Sequence, residues 1–586
     1  KMSQINPNTS RFDKIKKLFH ISSELISEYG LSYFLRIAFR ELLTQKTALF
    51  SPDNTLVEIK NEFIVEYDDF LKTLQNNIER DSLKIQDFSI QPSFSLILFV
   101  DRNMPSIKKF LDEQIYKNFE FVLISSQENY IDSFISQNNL INFQKLVVDN
   151  PKINDITSIS EYDFFVFLND DSKLQSDFLF NIVHHINQNN PVTDVYYFDE
   201  DFLDKHKKRS NPFFKPDWNP YLLRSFSYIG NSFVINKELL VKLNDFSLSE
   251  KNFHYDLILH CAENTDKFTH ISIPSFSTSK TQKMDQSKIL ENHITRQGLN
   301  AKIKYYDNSN SYRVNYLLEH EPKVSILIPT KNNKSILKRC IDSLKNNTNY
   351  ENFEIIIIDN NSDDKDTLKY YDSLDCKIIS YAEPFNFSKM NNLGYTKSHG
   401  DYILCLNDDT KALDPDWLTE MVSICQQNDV GIVGAKLLHS NGTIQHAGAV
   451  FLKSGSGFHV FENILEKDTG FFNMHNMIRN FSAVTGACLL IKNTIFEKIN
   501  GYDDDFDLFY GDADLCLKTL KAGFHVVYTP YARLLHEGST TIKKNSESFF
   551  AIENHLHFIK KWSYLKHGDP FYNFNLGWNY TIEKLH

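Results

Sequence analysis

The spacing of apolar residues changes near residue 92 and divides the chain into two kinds of sequence. Before it, residues 10–90 repeat apolar side chains three and four positions apart, which predicts a helical N-terminal region over residues 1–90. After it, short continuous apolar runs alternate with helix-like stretches, starting with residues 94–100. Such runs are typical of buried strands, and their alternation with helices predicts a parallel sheet covered on both faces, an α/β fold.

This succession of runs occurs twice. The first set covers residues 94–100, 121–124 and 164–168, and the second covers residues 324–329, 355–359 and 402–407. The third run of each set is followed by nearly the same four residues, Asn169-Asp170-Asp171-Ser172 in the first set and Asn407-Asp408-Asp409-Thr410 in the second. We infer a duplication with a period of roughly 230 residues. It predicts tandem domains over residues 91–305 and 320–545, joined by a connection near residues 305–321 and followed by a helical or extended segment, 546–586.

Charge and cysteine usage narrow the functional class. The net charge of −12 over 586 residues argues against a general nucleic-acid binder, because phosphate binding requires a basic surface. The seven cysteines have no Cys-x-x-Cys spacing, so neither a disulfide framework nor a zinc site is indicated. No apolar run approaches the roughly 18 to 20 residues of a membrane span. We expect a cytoplasmic protein, soluble or at most attached to a membrane surface.

The first fifty residues carry more lysine and arginine than aspartate and glutamate. Two interpretations remain open for this basic helical region. In the first, the region binds the anionic surface at the inner face of the membrane. In the second, its apolar face packs on the first α/β domain, since most amphipathic helices of globular proteins face the core.

Polar side chains follow each strand predicted for the second domain. They belong to residues 329–333, 359–364 and 407–410. Ligands of open parallel sheets bind at the carboxyl ends of the strands, so these turns are expected to meet at one crevice. Paired carboxylates such as Asp408 and Asp409 suit Mg²⁺ or Mn²⁺, which stabilise a departing phosphate group as Lewis acids. The alternative is that the acidic turn caps the following helix.

The sequence around this turn, from about residue 324 to residue 539, resembles the sequences of family 2 glycosyltransferases of the GT-A fold. Residues 324–330 are similar to the opening strand and nucleotide loop of that family, and Asp359 stands where its aspartate contacts the base. Residues 384–392 and 404–410 resemble the stretch that leads into its Asp-x-Asp motif.

In that motif, Asn407 replaces the first aspartate, which makes Asp409 the metal ligand by resemblance. Residues 442–448 and 484–488 are similar to the polysaccharide and rhamnosyl branch of the family. His536 resembles the late histidine that completes the metal shell; otherwise it is a surface residue. The polar residues 539–547 are predicted to form a lid over the donor pyrophosphate.

Residues 510–518 resemble the Glu-Asp-x-Asp-Leu word of the family, with Gly511 in place of the glutamate. Asp512 then falls on the catalytic base, which takes the proton of the acceptor hydroxyl and gives inversion in one displacement. The alternative for Asp512 is a helix N-cap.

The resemblance implies a complete set of partners. The cofactor is Mn²⁺ or Mg²⁺, the donor is a UDP or dTDP sugar, and the acceptor is a growing or lipid-linked glycan of surface polysaccharide or glycoconjugate synthesis. The enzyme is expected to be a hexosyl- or deoxyhexosyltransferase without a nucleic-acid partner. The implied donor-binding residues are Pro329, Thr330, Asn332, Asp359, Asn361, Asn392 and Asp408.

The first domain resembles the N-terminal module of two-domain members in residues 169–172, 198–201 and 214–220. It departs from the pattern at residues 125–128, where the nucleotide aspartate is missing, and at His254, which stands in the place of the base. The candidate residues of a second site are Asp170, Asp171, Asp199, Asp201 and His254.

Four interpretations of function stay open at this point. The first domain is either degenerate, with a structural or acceptor-binding role, or active, which would make a bifunctional transferase. A two-metal phosphoesterase would also use paired carboxylates, with more His and Asp ligands near Asp408 and Asp409. A carbohydrate-binding scaffold without catalysis is the fourth.

Overall fold

The computed structural model describes residues 65–101, 107, 112–168, 172–188, 192–248, 253–278, 284–452, 455–538, 548–577, 580–582 and 585. Three predictions lie outside these residues: the basic helices before residue 65, the pair Asp170 and Asp171, and the lid over residues 539–547. No helix in the described ranges is long and apolar enough to cross a bilayer.

The predicted apolar runs of the first half form strands of one sheet. Its nine strands are β1 (Phe94–Phe99), β2 (Phe119–Ser125), β3 (Phe143–Val147), β4 (Phe164–Leu168), β5 (Ser172–Leu174), β6 (Val195–Leu203), β7 (Arg209–Phe213), β8 (Phe233–Asn236) and β9 (Phe268–Thr278). The helices in this half are α1 (Tyr67–Ser82), α2 (Glu128–Asn138), α3 (Ile153–Thr157), α4 (Phe178–Asn187), α5 (Pro220–Ser225), α6 (Lys237–Lys242), α7 (Phe253–Asn264) and α8 (Ser287–Arg296), with a 3-10 turn at Ile85–Asp87.

The predicted connection is a β-hairpin of β10 (Ala301–Tyr306) and β11 (Ser311–Tyr316). Tyr312, Val314 and Tyr316 alternate along β11 and are buried, which gives the hairpin an apolar face. It also contacts the second half, because the guanidinium of Arg313 donates to Glu420 Oε2 at 2.7 Å.

The second half forms a ten-stranded sheet and a small hairpin. The strands of the sheet are β12 (Val324–Thr330), β13 (Phe353–Asp359), β14 (Lys377–Ser380), β15 (Tyr402–Leu406), β16 (Thr410–Ala412), β17 (Val430–Leu438), β18 (Ile444–His446), β21 (Arg479–Asn480), β22 (Cys488–Lys492) and β23 (His525–His536), and the hairpin is β19 (Ala449–Phe451) with β20 (Gly457–His459). The helices are α9 (Lys334–Asn346), α10 (Lys365–Tyr371), α11 (Phe387–Tyr395), α12 (Trp417–Cys425), α13 (Asn493–Lys498), α14 (Gly511–Lys521) and α15 (Ser548–Lys561), with 3-10 turns at Met474–Asn476 and Ser563–His567.

The two sheets have corresponding strand orders. The first is β3-β2-β1-β4-β8-β6-β9-β5 and the second is β14-β13-β12-β15-β22-β17-β23-β16. The predicted α/β class is confirmed. The sheets are mixed and not parallel throughout as predicted, because β8 and β22 run antiparallel to both neighbours. Continuous apolar runs fill strands that are buried on both faces in either direction, so they carry no information on strand direction.

The two halves are joined by buried hydrogen bonds. Asn219, which caps α5, donates from Nδ2 to the carbonyl of Asn480 on β21 at 3.1 Å, and the amide of Asn480 donates back to Asn219 Oδ1 at 2.9 Å. The C-terminal segment then crosses from one half to the other: Arg479 donates to the carbonyl of Phe571 at 3.1 Å, and the Asp217 amide donates to the carbonyl of Pro570 at 2.8 Å. One continuous apolar core includes residues of both halves.

Candidate active site

The acidic turn of the second half lies beside the end of the first strand of its sheet. The strands β12 and β15 are parallel neighbours, so the residues after them meet at one edge. There the hydroxyl of Thr330 donates to Asp408 Oδ2 at 2.6 Å. Burial raises the pKa of Asp408 to about 6, against the lowering effect of this hydrogen bond. The structure therefore brings Thr330 and Asp408 together, as the sequence predicts.

His536 joins the same turn through sheet pairing. The short strand β16 runs antiparallel to the end of β23, with Thr410 directly opposite His536. This register places His536 Nε2 3.0 Å from Asp409 Oδ1, and both side chains are largely buried, with exposed fractions of 13% and 10%. His536 is therefore at the acidic turn and not an isolated surface residue.

Asp409 Oδ1 and His536 Nε2 are suited to a metal ion. Asp409 Oδ1 is buried and accepts no hydrogen bond from the described residues, although Nε2 lies 3.0 Å away. A carboxylate oxygen is a ligand that both Mn²⁺ and Mg²⁺ prefer, whereas an imidazole nitrogen is a ligand for a transition-metal ion such as Mn²⁺ more than for Mg²⁺. Within the described ranges, no group of three or more His, Cys, Asp or Glu side chains could hold a metal ion. The two atoms thus fit as ligands that need further oxygens from a bound molecule.

Two interlocked turns follow β12 and β13 at the carboxyl edge of the sheet. Asn332 after β12 has φ 52°, and its side-chain oxygen accepts the amides of Asp363 and Asp364 at 2.9 and 3.0 Å, after β13. Buried Asp359 accepts the Tyr371 hydroxyl at 2.9 Å and the Ser362 amide at 3.1 Å. The predicted nucleotide-side residues are thus held in a preformed edge.

Three other predicted donor residues differ in their contacts. Pro329 is half-buried in β12. Asn361 has φ 53°, and its amide lies 3.5 Å from the carbonyl of Ala382. Asn392 on α11 uses both ends of its amide within the chain, donating to the Tyr502 carbonyl at 3.0 Å and accepting the Tyr502 amide at 2.9 Å. This pair positions the loop that leads towards α14.

Asp512 is in the first turn of α14 and is not its N-cap, which is Tyr510 at φ 66°. The amide of Gly486 donates to Asp512 Oδ2 at 2.8 Å, and a Cβ at Gly486 would lie 3.3 Å from Asp512 Cβ, so glycine allows this close approach. Asp512 thus lies at the helix end where negative side chains stabilise the helix dipole. By contrast, Asp514 is fully buried and accepts Trp562 Nε1 at 2.9 Å, which makes it a packing residue.

One site residue was missed by the sequence interpretation. Gln445 on β18 contacts His536 twice: its Oε1 accepts from the His536 ring, and its Nε2 donates to the His536 carbonyl at 3.3 Å. The only signal in the sequence is its place in residues 442–448, whose words resemble the family. The pairing of β18 with β17, the neighbour of β23, could not be inferred from them.

In the first half, the carboxylates of Asp199 and Asp201 are occupied. Asp199 accepts the Lys215 amide at 2.7 Å, His270 Nε2 at 2.8 Å, and Asn573 Nδ2 on both oxygens at 2.9 and 3.0 Å. Three donors bind Asp201, which is also fully buried: the Tyr67 hydroxyl, Arg209 Nε and the Ser277 hydroxyl, at 2.5, 2.6 and 2.5 Å. Their contacts are those of structural residues.

His254 has an apolar environment. Its ring stacks on Phe253 at 4.2 Å and meets Phe233 edge-on at 6.0 Å, and Nε2 finds no hydrogen-bond partner among the described residues. Burial lowers the pKa of His254 to about 4, so the imidazole is neutral. A role for His254 in a second site stays a prediction without a supporting contact.

Parts of the chain are similar in sequence to known proteins. The model of the family described as glycosyl transferase family 2 matches residues 325–499. An uncharacterized protein of Sinorhizobium fredii is 32% identical over 449 residues, covering 72% of this chain and 49% of the relative. The O-antigen biosynthesis protein RfbC of Myxococcus xanthus is 33% identical over 403 residues, covering 65% of this chain and 31% of the relative.

A glucosyltransferase of Campylobacter jejuni, named for an undecaprenol-linked acceptor, is 24% identical over 248 residues, covering 41% of this chain and 74% of the relative. The chain spans about half and about a third of the length of the first two relatives. The matched range contains Thr330, Asp359, Asp408, Asp409 and Gly486. Residues 325–499 of the chain therefore match the glycosyltransferase family 2 model.

Proposed function

We propose that the chain moves a sugar from a nucleoside diphosphate sugar to a hydroxyl of a growing glycan, with inversion, in the crevice of its second half. The observation that carries the proposal is the adjacency of Asp409 Oδ1 and His536 Nε2, next to the Thr330–Asp408 pair. The name of the Myxococcus xanthus relative, an O-antigen biosynthesis protein, supports a surface polysaccharide as the product.

The donor side of the reaction is assigned to the turns at the carboxyl edge of the sheet. The residues proposed to bind the UDP or dTDP sugar are Pro329, Thr330, Asn332, Asp359, Asn361, Asn392 and Asp408. Asp409 and His536 would hold Mn²⁺ or Mg²⁺, which when bound stabilises the negative charge of the leaving nucleoside diphosphate. The interlocked turns after β12 and β13 reduce the cost of ordering this edge when the nucleotide binds.

The acceptor side is assigned to Asp512. Its carboxylate takes the proton of the acceptor hydroxyl while that oxygen forms a bond to the anomeric carbon. The bond from the anomeric carbon to the diphosphate breaks, and the electron pair leaves with the diphosphate, so the configuration inverts. The Gly486 amide holds Asp512 Oδ2, which fixes the rotamer and leaves other carboxylate lone pairs for the hydroxyl.

We assign a structural role to the first half, because the carboxylates of Asp199 and Asp201 accept hydrogen bonds from other residues of the chain. A bifunctional transferase would need a first domain with carboxylates available to a donor. A phosphoesterase is less favoured, since the family match covers the acidic turn. Cytoplasmic location and peripheral membrane contact through the N-terminal region stay predictions, to be tested by liposome co-sedimentation of the full chain.

The test of the proposed function is a thermal-shift screen of UDP and dTDP sugars with Mn²⁺. A ligand at 100 times its Kd stabilises the folded state by about 2.7 kcal/mol, which raises the melting temperature measurably. Asp409→Asn should abolish the shift and the transfer of labelled sugar. Asp342→Asn, which removes an exposed carboxylate paired with Lys338, is the matched control and should keep both. Sugar transfer by Asp409→Asn at the wild-type rate would contradict the assignment.

A further inference from the structure

We infer that Gln445 is a positioning residue that fixes the ring orientation of His536. This inference rests on the proposed function, since it concerns the metal ligand of the same crevice. Gln445 touches neither the reacting atoms nor the carboxylates of the acidic turn in any contact described above, so its effect must pass through His536.

The amide of Gln445 holds His536 at two points. Its Oε1 accepts a hydrogen bond from His536 Nδ1, and its Nε2 donates to the His536 backbone carbonyl at 3.3 Å. One rigid amide group therefore fixes both the imidazole and the peptide unit at the end of β23. The ring is bonded at Nδ1 to an amide that is itself bonded to the backbone of the same residue, so it loses its freedom to rotate away from the turn.

This contact decides which ring nitrogen faces the acidic turn. Because the side-chain carbonyl oxygen of Gln445 can only accept, His536 Nδ1 is the donor of this hydrogen bond, and Nε2 is the nitrogen turned towards the acidic residues. Nε2 lies 3.3 Å from Asn407 Nδ2 and 3.0 Å from Asp409 Oδ1. It is the atom through which His536 would bind a metal ion. Gln445 thus prepares His536 for coordination before any ion arrives.

The position of Gln445 is itself supported from two sides. His459 Nδ1 lies 3.1 Å from the Gln445 carbonyl and donates to it, which ties β18 to the small hairpin. Gly538 has φ 62°, and a Cβ there would lie 2.9 Å from Gln445 Nε2. A side chain at residue 538 would therefore displace the amide. These contacts make Gln445 a defined part of the site.

The next residue of β18, His446, lies near the segment that holds the predicted base Asp512. His446 is fully buried and accepts the Thr485 amide on Nε2 at 3.3 Å. The following amide, that of Gly486, donates to Asp512. Two neighbouring residues of β18 therefore serve the two predicted functional residues. Gln445 contacts His536, the predicted metal ligand, and His446 contacts the peptide beside Gly486, whose amide holds Asp512, the predicted base.

The experiment measures Mn²⁺ affinity, not only activity. Free Mn²⁺ is followed by electron paramagnetic resonance during titration of the full chain, with UDP and then with dTDP present. Gln445→Met keeps the size of the side chain and removes both hydrogen bonds, so Mn²⁺ should bind about 10 to 100 times more weakly, as for other partners of metal-binding histidines. Gln445→Glu keeps an acceptor for His536 Nδ1 and should restore most of the affinity.

The control is Gln426→Met, at a half-buried glutamine whose Nε2 donates to the Leu317 carbonyl at 2.9 Å. It should bind Mn²⁺ like the wild type. Gln445→Ala serves as a second variant if the methionine variant does not fold, as judged by its melting temperature without metal.

The outcomes distinguish the role of Gln445 from the proposed function of the chain. Wild-type affinity in Gln445→Met, together with weak binding in His536→Ala, would overturn the inference and leave the proposed function standing. Wild-type affinity in His536→Ala would contradict the proposed function itself, as would a wild-type chain that binds no Mn²⁺ with either nucleotide.

Discussion

The substitution Asp199→Asn tests whether the acidic residues of the first half are structural. Asp199 is fully buried and accepts hydrogen bonds from Lys215, His270 and Asn573. The side-chain oxygens of the aspartate both accept from Asn573, whereas an asparagine presents one NH₂ group to these donors. At least one hydrogen bond is lost, and the charge partner of His270 disappears.

The expected cost follows from these contacts. Removing one member of a buried charge pair costs about 3 to 5 kcal/mol. Relaxation of His270 to its neutral form recovers part of this, so we expect a loss of about 3 kcal/mol. For a domain of this size the melting temperature should fall by about 6 to 12 °C. The transfer rate below the unfolding temperature should stay close to that of the wild type.

The assay combines calorimetry with sugar transfer on the same preparation. Asp245→Asn is the matched control, because its side chain is 88% exposed and its ion pair with Lys152 spans 3.3 Å. A surface pair of this kind contributes at most about 1 kcal/mol, so the control should melt near the wild-type temperature. Loss of transfer in Asp199→Asn without a change in melting temperature would refute the structural assignment and point to a second catalytic centre.

Two further predictions concern single contacts. Thr330→Val removes the hydrogen bond to the buried side of Asp408, which should weaken donor binding about tenfold, measured as KM for the sugar nucleotide with a smaller change in kcat; an unchanged KM would show that the pair does not order the donor site. For His270, burial acts to lower the pKa, but Asp199 and Asp217 raise it to about 9. The stabilisation from protonated His270 is therefore complete below pH 6.5 and is lost as the pH rises through 9, by about 3 kcal/mol. His270→Gln should flatten the fall in melting temperature between pH 6.5 and 9.5, and an equally steep fall in the variant would contradict this origin.

Much of the fold follows from local sequence pattern. The apolar runs before Asn407 and after Pro322 coincide with β15 and β12 within one residue, because a strand buried on both faces needs a continuous apolar run. Strand direction does not follow, since the first four residues of β22 are as apolar as those of its antiparallel neighbour β15. The hairpin over residues 301–316 was also missed, because its alternation is short and interrupted by a polar turn.

The site was predictable only in part, for a reason of distance along the chain. The acidic turn and the segment around Asp512 are short sequence motifs that can be recognised locally. The contact of Asn573 with Asp199, by contrast, joins residues 374 positions apart. Nothing in residues 198–201 signals that a distant asparagine will occupy the carboxylate. Gln445 was missed for the same reason, since its partner His536 is 91 residues away.

The most direct test of the central claim is the variant Asp512→Asn, assayed for Mn²⁺ and nucleotide binding and for transfer of labelled sugar to a membrane glycan extract. An asparagine keeps the shape of the side chain but cannot take a proton, so binding should remain and transfer should fall at least about 100-fold. Transfer at the wild-type rate would contradict the assignment of the base to Asp512, and with it the placement of catalysis in the second half of the chain.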